Sequence, residues 1–293
     1  MPYRMIVLAK QVPDTKNVTG QAMKEDGTVN RSALPAIFNP EDLNALEMAL
    51  SIRERFGGHI TVLTMGPPSA VEIARDVLMR GADAAVHVCD RRLAAGDTLA
   101  TAYALSCAVN NVGPYDLILC GRQAIDGDTA QTGPQIAGKL DIPQVTYVEE
   151  IRSIEGNKLT ARRNIEGGFE VVQVQLPALI TVVDTANEPR PYAAKKLVQF
   201  KKARTAAEVK KALQGADAEK EIERLANRGL LIKEWCLDDI AAEENSCGSL
   251  GSATRVMKIY SPVLVAGAQK KIEPSRNAIS ELVRELVEDH AIE

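Results

Sequence analysis

The richest chemistry in this 293-residue chain lies in GRQAIDGDTAQT, residues 121–132. Arg122 supplies a planar cation, and Gln123 can donate and accept in one plane, as a nucleobase edge requires. Gly121 permits close backbone approach, and Asp126, Gly127 and Asp128 read as a turn. Asp128 is then placed to cap a helix predicted to begin at Thr129, with Gln131 in the reciprocal capping-box position. Thr129, Gln131 and Thr132 would surround the free amides of that helix N-terminus, a ready anion site. A capped strand–helix connection needs one or two polar residues. Beside its glycines this loop has only Ala124, Ile125 and Ala130 as apolar positions. The pattern points to nucleotide binding.

Other segments could join it. Asn39, Pro40, Glu41 and Asp42 form a helix start: a good N-cap, a proline at the first helical position and carboxylates facing the dipole. That structural account is sufficient; the functional alternative brings Asn39 near an adenine or ribose, with phosphate kept away from Glu41 and Asp42. Asp97 caps a further helix, and the hydroxyls of Thr98 and Thr101 lie one turn apart on one face, suited to an anion. Ala9 and Met65 end strand-like runs, where an open parallel sheet binds its ligands. Against this, there is no G-x-G-x-x-G after the first strand and no Walker lysine loop. His59, His87 and His290 lie in unrelated segments, and no Ser–His, Cys–His or metal set can be assembled. No catalytic residue is expected, so any chemistry belongs to a bound cofactor.

These loops need a scaffold. MIVLA at 5–9, ITVLTM at 60–65 and LILC at 117–120 are continuous apolar runs, as buried parallel strands require. Helical periodicity at 41–56, 69–80 and 98–109 separates them, so the fold class is α/β, with a doubly wound, mostly parallel sheet. Strand-like segments at 151–154, 159–163, 169–176 and 179–183 add antiparallel pieces, with a hairpin turn at 155–158. Residues 205–228 read as a charge-laced helix, 231–274 as irregular chain, and 276–290 as an amphipathic helix. The expected division is a nucleotide-binding domain at 1–204 and a C-terminal arm at 205–293, packing on another chain or back on its own domain. A net charge of −4 gives no reason to expect nucleic acid. Five scattered cysteines suit a reducing compartment. The N-terminal apolar run is too short for a signal peptide or span, so a cytoplasmic location without membrane insertion is the expectation.

The chain resembles the β subunit of electron transfer flavoproteins over nearly its whole length. The resemblance is carried by VLAKQVPDT (7–15), FNPEDLNALEMAL (38–50), GRQAIDGDTAQTGPQIAG (121–138) and ANEPR (186–190). It implies an adenine-nucleotide α-hydrolase-like, Rossmann-like domain and a heterodimer with an α subunit that carries an electron-transferring FAD. It also implies a β-subunit nucleotide site at Ala9, 39–42, Met65 and 121–132, with Thr98 and Thr101 helping at the phosphates. The nucleotide is FAD in the electron-bifurcating members, which oxidise NADH, and structural AMP in the simpler carriers. TMGPP (64–68), DTLAT (97–101) and ATRVMKIYSP (253–262) are closer to the bifurcating group. The implied redox partner is a dehydrogenase, acyl-CoA-specific or another flavin enzyme. NEPRPYAAKKLVQFKK (187–202) departs from the family's docking loop by Pro191 and two lysines. A regulatory nucleotide-binding module without redox function is the alternative from another class.

Overall fold

The computed structural model describes residues 2–14, 34–255, 257 and 271–288. The parts of VLAKQVPDT and ATRVMKIYSP that fall at 15, 256 and 258–262 lie outside these, as do residues 289–290 of the expected last helix. Its strands are β1 (Tyr3–Ala9), β2 (Gln11–Pro13), β3 (Ala36–Phe38), β4 (Gly58–Met65), β5 (Ala84–Val88), β6 (Leu117–Gly121), β7 (Gln144–Glu155), β8 (Lys158–Ile165), β9 (Gly168–Gln175), β10 (Ala178–Val182), β11 (Arg204–Thr205) and β12 (Leu231–Trp235). Its helices are α1 (Pro40–Phe56), α2 (Val71–Arg80), α3 (Thr98–Val112), α4 (Thr132–Leu140), α5 (Ala194–Phe200), α6 (Ala206–Ala212), α7 (Gly215–Asn227), α8 (Gly248–Gly251) and α9 (Arg276–Glu288).

Among the described residues, ten strands form one sheet in the order β11-β12-β5-β4-β1-β6-β10-β7-β8-β9. All neighbours from β11 to β7 are parallel, and the β7–β8 and β8–β9 pairs are antiparallel. Alternate residues of β1 feed the two faces. Met5, Val7 and Ala9 join the core beneath α1, α2, α6 and α7, whereas Ile6 and Leu8 join the core beneath α3 and α4. Parallel strands covered on both sides need such uninterrupted apolar runs. From β1 the chain moves outward through β4 and β5, then returns through α3 to β6 on the other side of β1. The sheet therefore has its topological switch between β1 and β6, where a doubly wound fold opens a crevice beyond the strand ends. The short β2–β3 ladder closes one side and delivers Asn39 to the end of β1, its amide donating to Lys10 O.

Three features differ from the sequence-based expectation. β10, expected among antiparallel pieces, runs parallel between β6 and β7. Residues 205–228 form two helices, because Gly215 at φ 57° turns the chain between them, and a Thr205–Glu208 capping box starts the first. The division at 204/205 falls inside β11, and β12 pairs with β5, extending the same sheet. LIKEW has no long apolar run to advertise a strand, yet Ile232 and Trp235 are buried on opposite faces. β5 was hidden in the same way by its alanines and by His87. Residues 204–240 thus belong to the sheet's core, whereas α9 buries no residue in this chain.

Truncating Ile232 to Ala is expected to destabilise the cooperative unfolding of the whole α/β domain by about 2–5 kcal/mol, the usual range for a buried aliphatic. Val198→Ala, on the exposed surface of α5, should stay within about 0.5 kcal/mol. Urea unfolding followed by circular dichroism measures both. An unchanged midpoint for Ile232→Ala would mean that β12 is not part of the domain.

Candidate nucleotide site

The crevice at the switch point is a cavity of about 340 Å³. Its floor is Leu8, Leu63, Leu105 and Cys120, and its rim comprises residues 95–98, 121–124 and 129–133. The N-terminal turns of α3 and α4 both open onto it, through Asp97, Thr98 and Thr101 on one side and Thr132 and Gly133 on the other. Two helix N-termini converge on one space with their positive dipole ends; α4 has no side-chain cap, whereas α3 has its Ala100 amide taken by Asp97.

The first turn of α1 holds the opposite wall. Asp42 accepts from the amide of Gly121 through Oδ1 at 2.8 Å and from the amide of Lys10 through Oδ2 at 2.9 Å. One carboxylate thereby ties the end of β6 to the end of β1. Glu41 accepts from the amide of Gln123 at 3.0 Å and pairs with Arg122 Nη2 at 2.6 Å. Asn39, fully buried, donates to Gln123 O at 2.8 Å and accepts from the Ile125 amide at 3.2 Å. Gly121 is required here because a Cβ would stand 2.7 Å from both Asp42 Oδ1 and Glu41 Cβ. Burial pushes the Asp42 carboxyl up to about 7, against the lowering influence of the Gly121 and Lys10 amides, the Asn39 side chain and the Lys10 charge.

Of the residues picked from sequence, Ala9, Asp42, Met65, Thr98, Thr101, Gly121, Arg122, Gln123, Ala124, Asp126, Gly127, Thr129, Ala130, Gln131 and Thr132 line the cavity. Asn39, Pro40, Glu41, Ile125 and Asp128 do not; they stand behind or beside its wall. Asn39 makes no side-chain cap on α1, since its amide is committed to the 123–125 backbone. The helix expected from Thr129 starts at Thr132. Asp128 and Ala130 have positive φ, at 49° and 52°, which breaks the helical turn there. Asp128 accepts from Gln123 Nε2 at 3.0 Å instead of capping. Sequence reasoning placed the segment after the first strand at this edge without singling out Lys10, which donates to both Asp126 oxygens at 2.7 and 2.8 Å, and it did not select Ala95, Cys120 or Gly133. Lys10 had a usable signal, its place directly after the first strand; the others had none.

Arg122 is the wall's unfinished group. Nη2 is bound to Glu41, the guanidinium carbon lies 5.7 Å from the Tyr147 ring centre, and Nε is buried without a hydrogen-bond partner. A buried guanidinium N–H without an acceptor is costly, and a ligand acceptor would satisfy it. The donors present fit an anionic, hydrogen-bonding ligand: Arg122, Lys10, two sets of helix amides and threonine hydroxyls. Among the described residues no group of three or more His, Cys, Asp or Glu could hold a metal ion.

The sequence from residue 26 to 220 matches the family described as the electron transfer flavoprotein domain. The chain belongs to the electron transfer flavoprotein family. It is 40% identical over 288 residues to the electron transfer flavoprotein subunit beta of Thermoanaerobacterium thermosaccharolyticum, covering 98% of this chain and 99% of that one. It is 39% identical over 291 residues to the caffeyl-CoA reductase-Etf complex subunit CarD of Acetobacterium woodii, covering 99% and 100%. Protein FixA of Bradyrhizobium diazoefficiens is 40% identical over 285 residues, covering 95% and 89%. The chain is an electron transfer flavoprotein β subunit, and its role is electron transfer. Among the described residues no helix is long and apolar enough to cross a membrane.

The pH response of the wall can be measured. Between about pH 4 and pH 7 folded Asp42 holds a proton that the unfolded chain has released, so its stabilising contribution is lost as pH rises through that window. Relative to Asp42→Asn, wild-type stability should fall by up to about 1.4 kcal/mol per pH unit and level off above pH 7. Urea unfolding at pH 5, 6, 7 and 8 reads the difference. Parallel curves would place the Asp42 proton elsewhere.

Proposed function

We propose that the cavity holds the adenosine and phosphate portion of FAD and that, with an α subunit, the chain moves electrons by flavin-based bifurcation. The reading is carried by the buried, unpaired Nε of Arg122 on the wall of a cavity onto which two helix N-termini open. Bound FAD would supply the electron chemistry, with NADH as the donor. The chain's own residues bind and orient. Arg122 and Gln123 meet the nucleotide on the wall made by α1; Thr98, Thr101, Thr129, Gln131 and Thr132 take the phosphates at the helix N-termini. The phosphates lie on that side, away from Asp42; Asp97, which also lines it, has its two oxygens engaged by the Ala100 and Thr254 amides. Full-length similarity to CarD, named as part of a caffeyl-CoA reductase complex, supports a dedicated reductase or dehydrogenase as redox partner.

A second reading has its own observation. The cavity lies near the low end of the roughly 300–1,000 Å³ usual for small-molecule sites, a size suited to AMP alone. In the FAD reading the flavin ring extends past this chain's walls to a surface completed by the α subunit. α9 is proposed as a contact with that subunit: Ile279, Val283 and Val287, spaced by four, form an exposed apolar stripe. For the dehydrogenase we propose the 191–202 segment. It is pinned to α2 by Tyr192 OH donating to Asp76 at 2.6 Å and by the Ala193 amide donating to Met79 O. Lys196 is tied back by donating to Gly81 O at 3.0 Å, and Val198, Lys195, Lys201 and Lys202 are left outward. A cytoplasmic location accords with five free thiols.

Ligands released by acid from the co-purified heterodimer should number two FAD and no AMP. One FAD with one AMP would favour the simple carrier, and no nucleotide attributable to this chain would refute the reading of the cavity. Arg122→Met should weaken retention of that nucleotide by about tenfold or more, the loss typical of a charge-assisted hydrogen bond. Equilibrium dialysis against AMP and FAD measures it.

A further inference from the structure

The chain's approach to its C-terminal end is fastened to the rim of the cavity. Asp97 is the fastening point. Its Oδ1 accepts from the Ala100 amide at 3.0 Å, capping α3. Its Oδ2 accepts from both the amide and the hydroxyl of Thr254, at 2.9 and 3.0 Å. Its own amide donates to Ser252 Oγ at 2.9 Å, and that hydroxyl donates to Gly248 O at 2.8 Å. The Ser249 amide donates to Ala94 O at 3.1 Å. The two segments meet backbone to backbone: a Cβ on Gly248, which has φ 52°, would stand 2.1 Å from Arg92 O. Between them Ala95 is held at φ 58°, a conformation a non-glycine residue keeps only when its surroundings impose it. Ala95, Gly96, Asp97 and Thr98 line the cavity, whereas Ser252 and Thr254 do not.

We infer that Asp97 is a positioning residue that couples occupancy of the cavity to placement of the C-terminal segment. The inference rests on the nucleotide reading above. A ligand seated against residues 95–98 steadies the strained loop to which residues 248–254 are tied. A partner that holds the later chain, including the exposed face of α9, steadies the same loop from outside. Linkage makes the two effects equal: whatever factor the nucleotide adds to partner affinity, the partner adds to nucleotide affinity.

The test uses the full-length chain, with AMP and FAD as probes. In Ser252→Ala/Thr254→Val the cavity lining and the Ala100 cap are intact, but the hydroxyls fastening the segment are gone. Nucleotide affinity should drop about five- to tenfold, within the usual range for coupled sites. Thr254→Val alone should lose less, and Thr254→Ser, which keeps the hydroxyl, should bind as wild type does. With the α subunit, nucleotide should strengthen wild-type association by the factor by which the α subunit strengthens nucleotide binding, and should leave association of the double variant unchanged. Melting curves confirm that the variants are folded. Wild-type nucleotide affinity in the folded double variant, with the parent chain binding normally, would overturn the coupling alone. A wild-type chain that binds neither AMP nor FAD would bring down the nucleotide reading and the coupling together.

Discussion

Three side chains before and within the first turn of α1 hold the end of the sheet together. Asn39, Glu41 and Asp42 aim their side chains not at their own helix but at the backbone of other segments. They receive amides from Lys10, Gly121, Gln123 and Ile125. Those amides lie at the last residue of a strand or shortly past it, where the ladder stops supplying partners. Without these acceptors the loops after β1 and β6 would have buried, unsatisfied donors and no fixed path. The cavity exists because this turn sets the spacing between them.

The arrangement puts carboxylates beside a site suited to anions, a conflict resolved by geometry and by protonation. Glu41 is balanced by Arg122 and faces away from the cavity; Asp126 is balanced by Lys10. Asp42, buried, has its proton affinity raised until its charge is partly suppressed near neutrality. On the far side the α4 N-terminus is left without a side-chain cap, whereas the α3 N-terminus is partly offset by the Asp97 carboxylate that caps it. The cavity is therefore polarised across its width, which would orient a ligand with one neutral, planar end and one anionic end.

Much of this was legible in the residues. The apolar runs of β1, β4 and β6 and the helices between them gave the sheet, and the crowding of polar groups after Gly121 located the cavity. Pro40 at the first helical position marked the start of α1 correctly. Legibility ended where local and long-range partners compete for the same side chain. Asn39 and Asp128 have the chemistry of caps, and nothing local reveals that each is bonded to the 123–125 strip instead. β12 was unreadable for a related reason: its stability comes from β5, about 145 residues earlier, and from burial on both faces, not from its own propensity. The free Nε of Arg122 appears only once Glu41 and Tyr147 are in place.

The pairing of β5 with β12 has a consequence for synthesis. β5 can align with β4 soon after both have emerged from the ribosome, but its other edge stays bare while the chain from α3 to α7 is made. At the usual 5–20 residues per second this interval lasts on the order of ten seconds. Throughout it a nascent chain presents unpaired strand amides and carbonyls, open to β-augmentation by any neighbouring extended segment. Lys233 and Glu234 at the centre of LIKEW keep the late-arriving strand from being a strong aggregation template itself. Chaperone dependence during translation, rather than fragility of the finished sheet, is the vulnerability this topology creates.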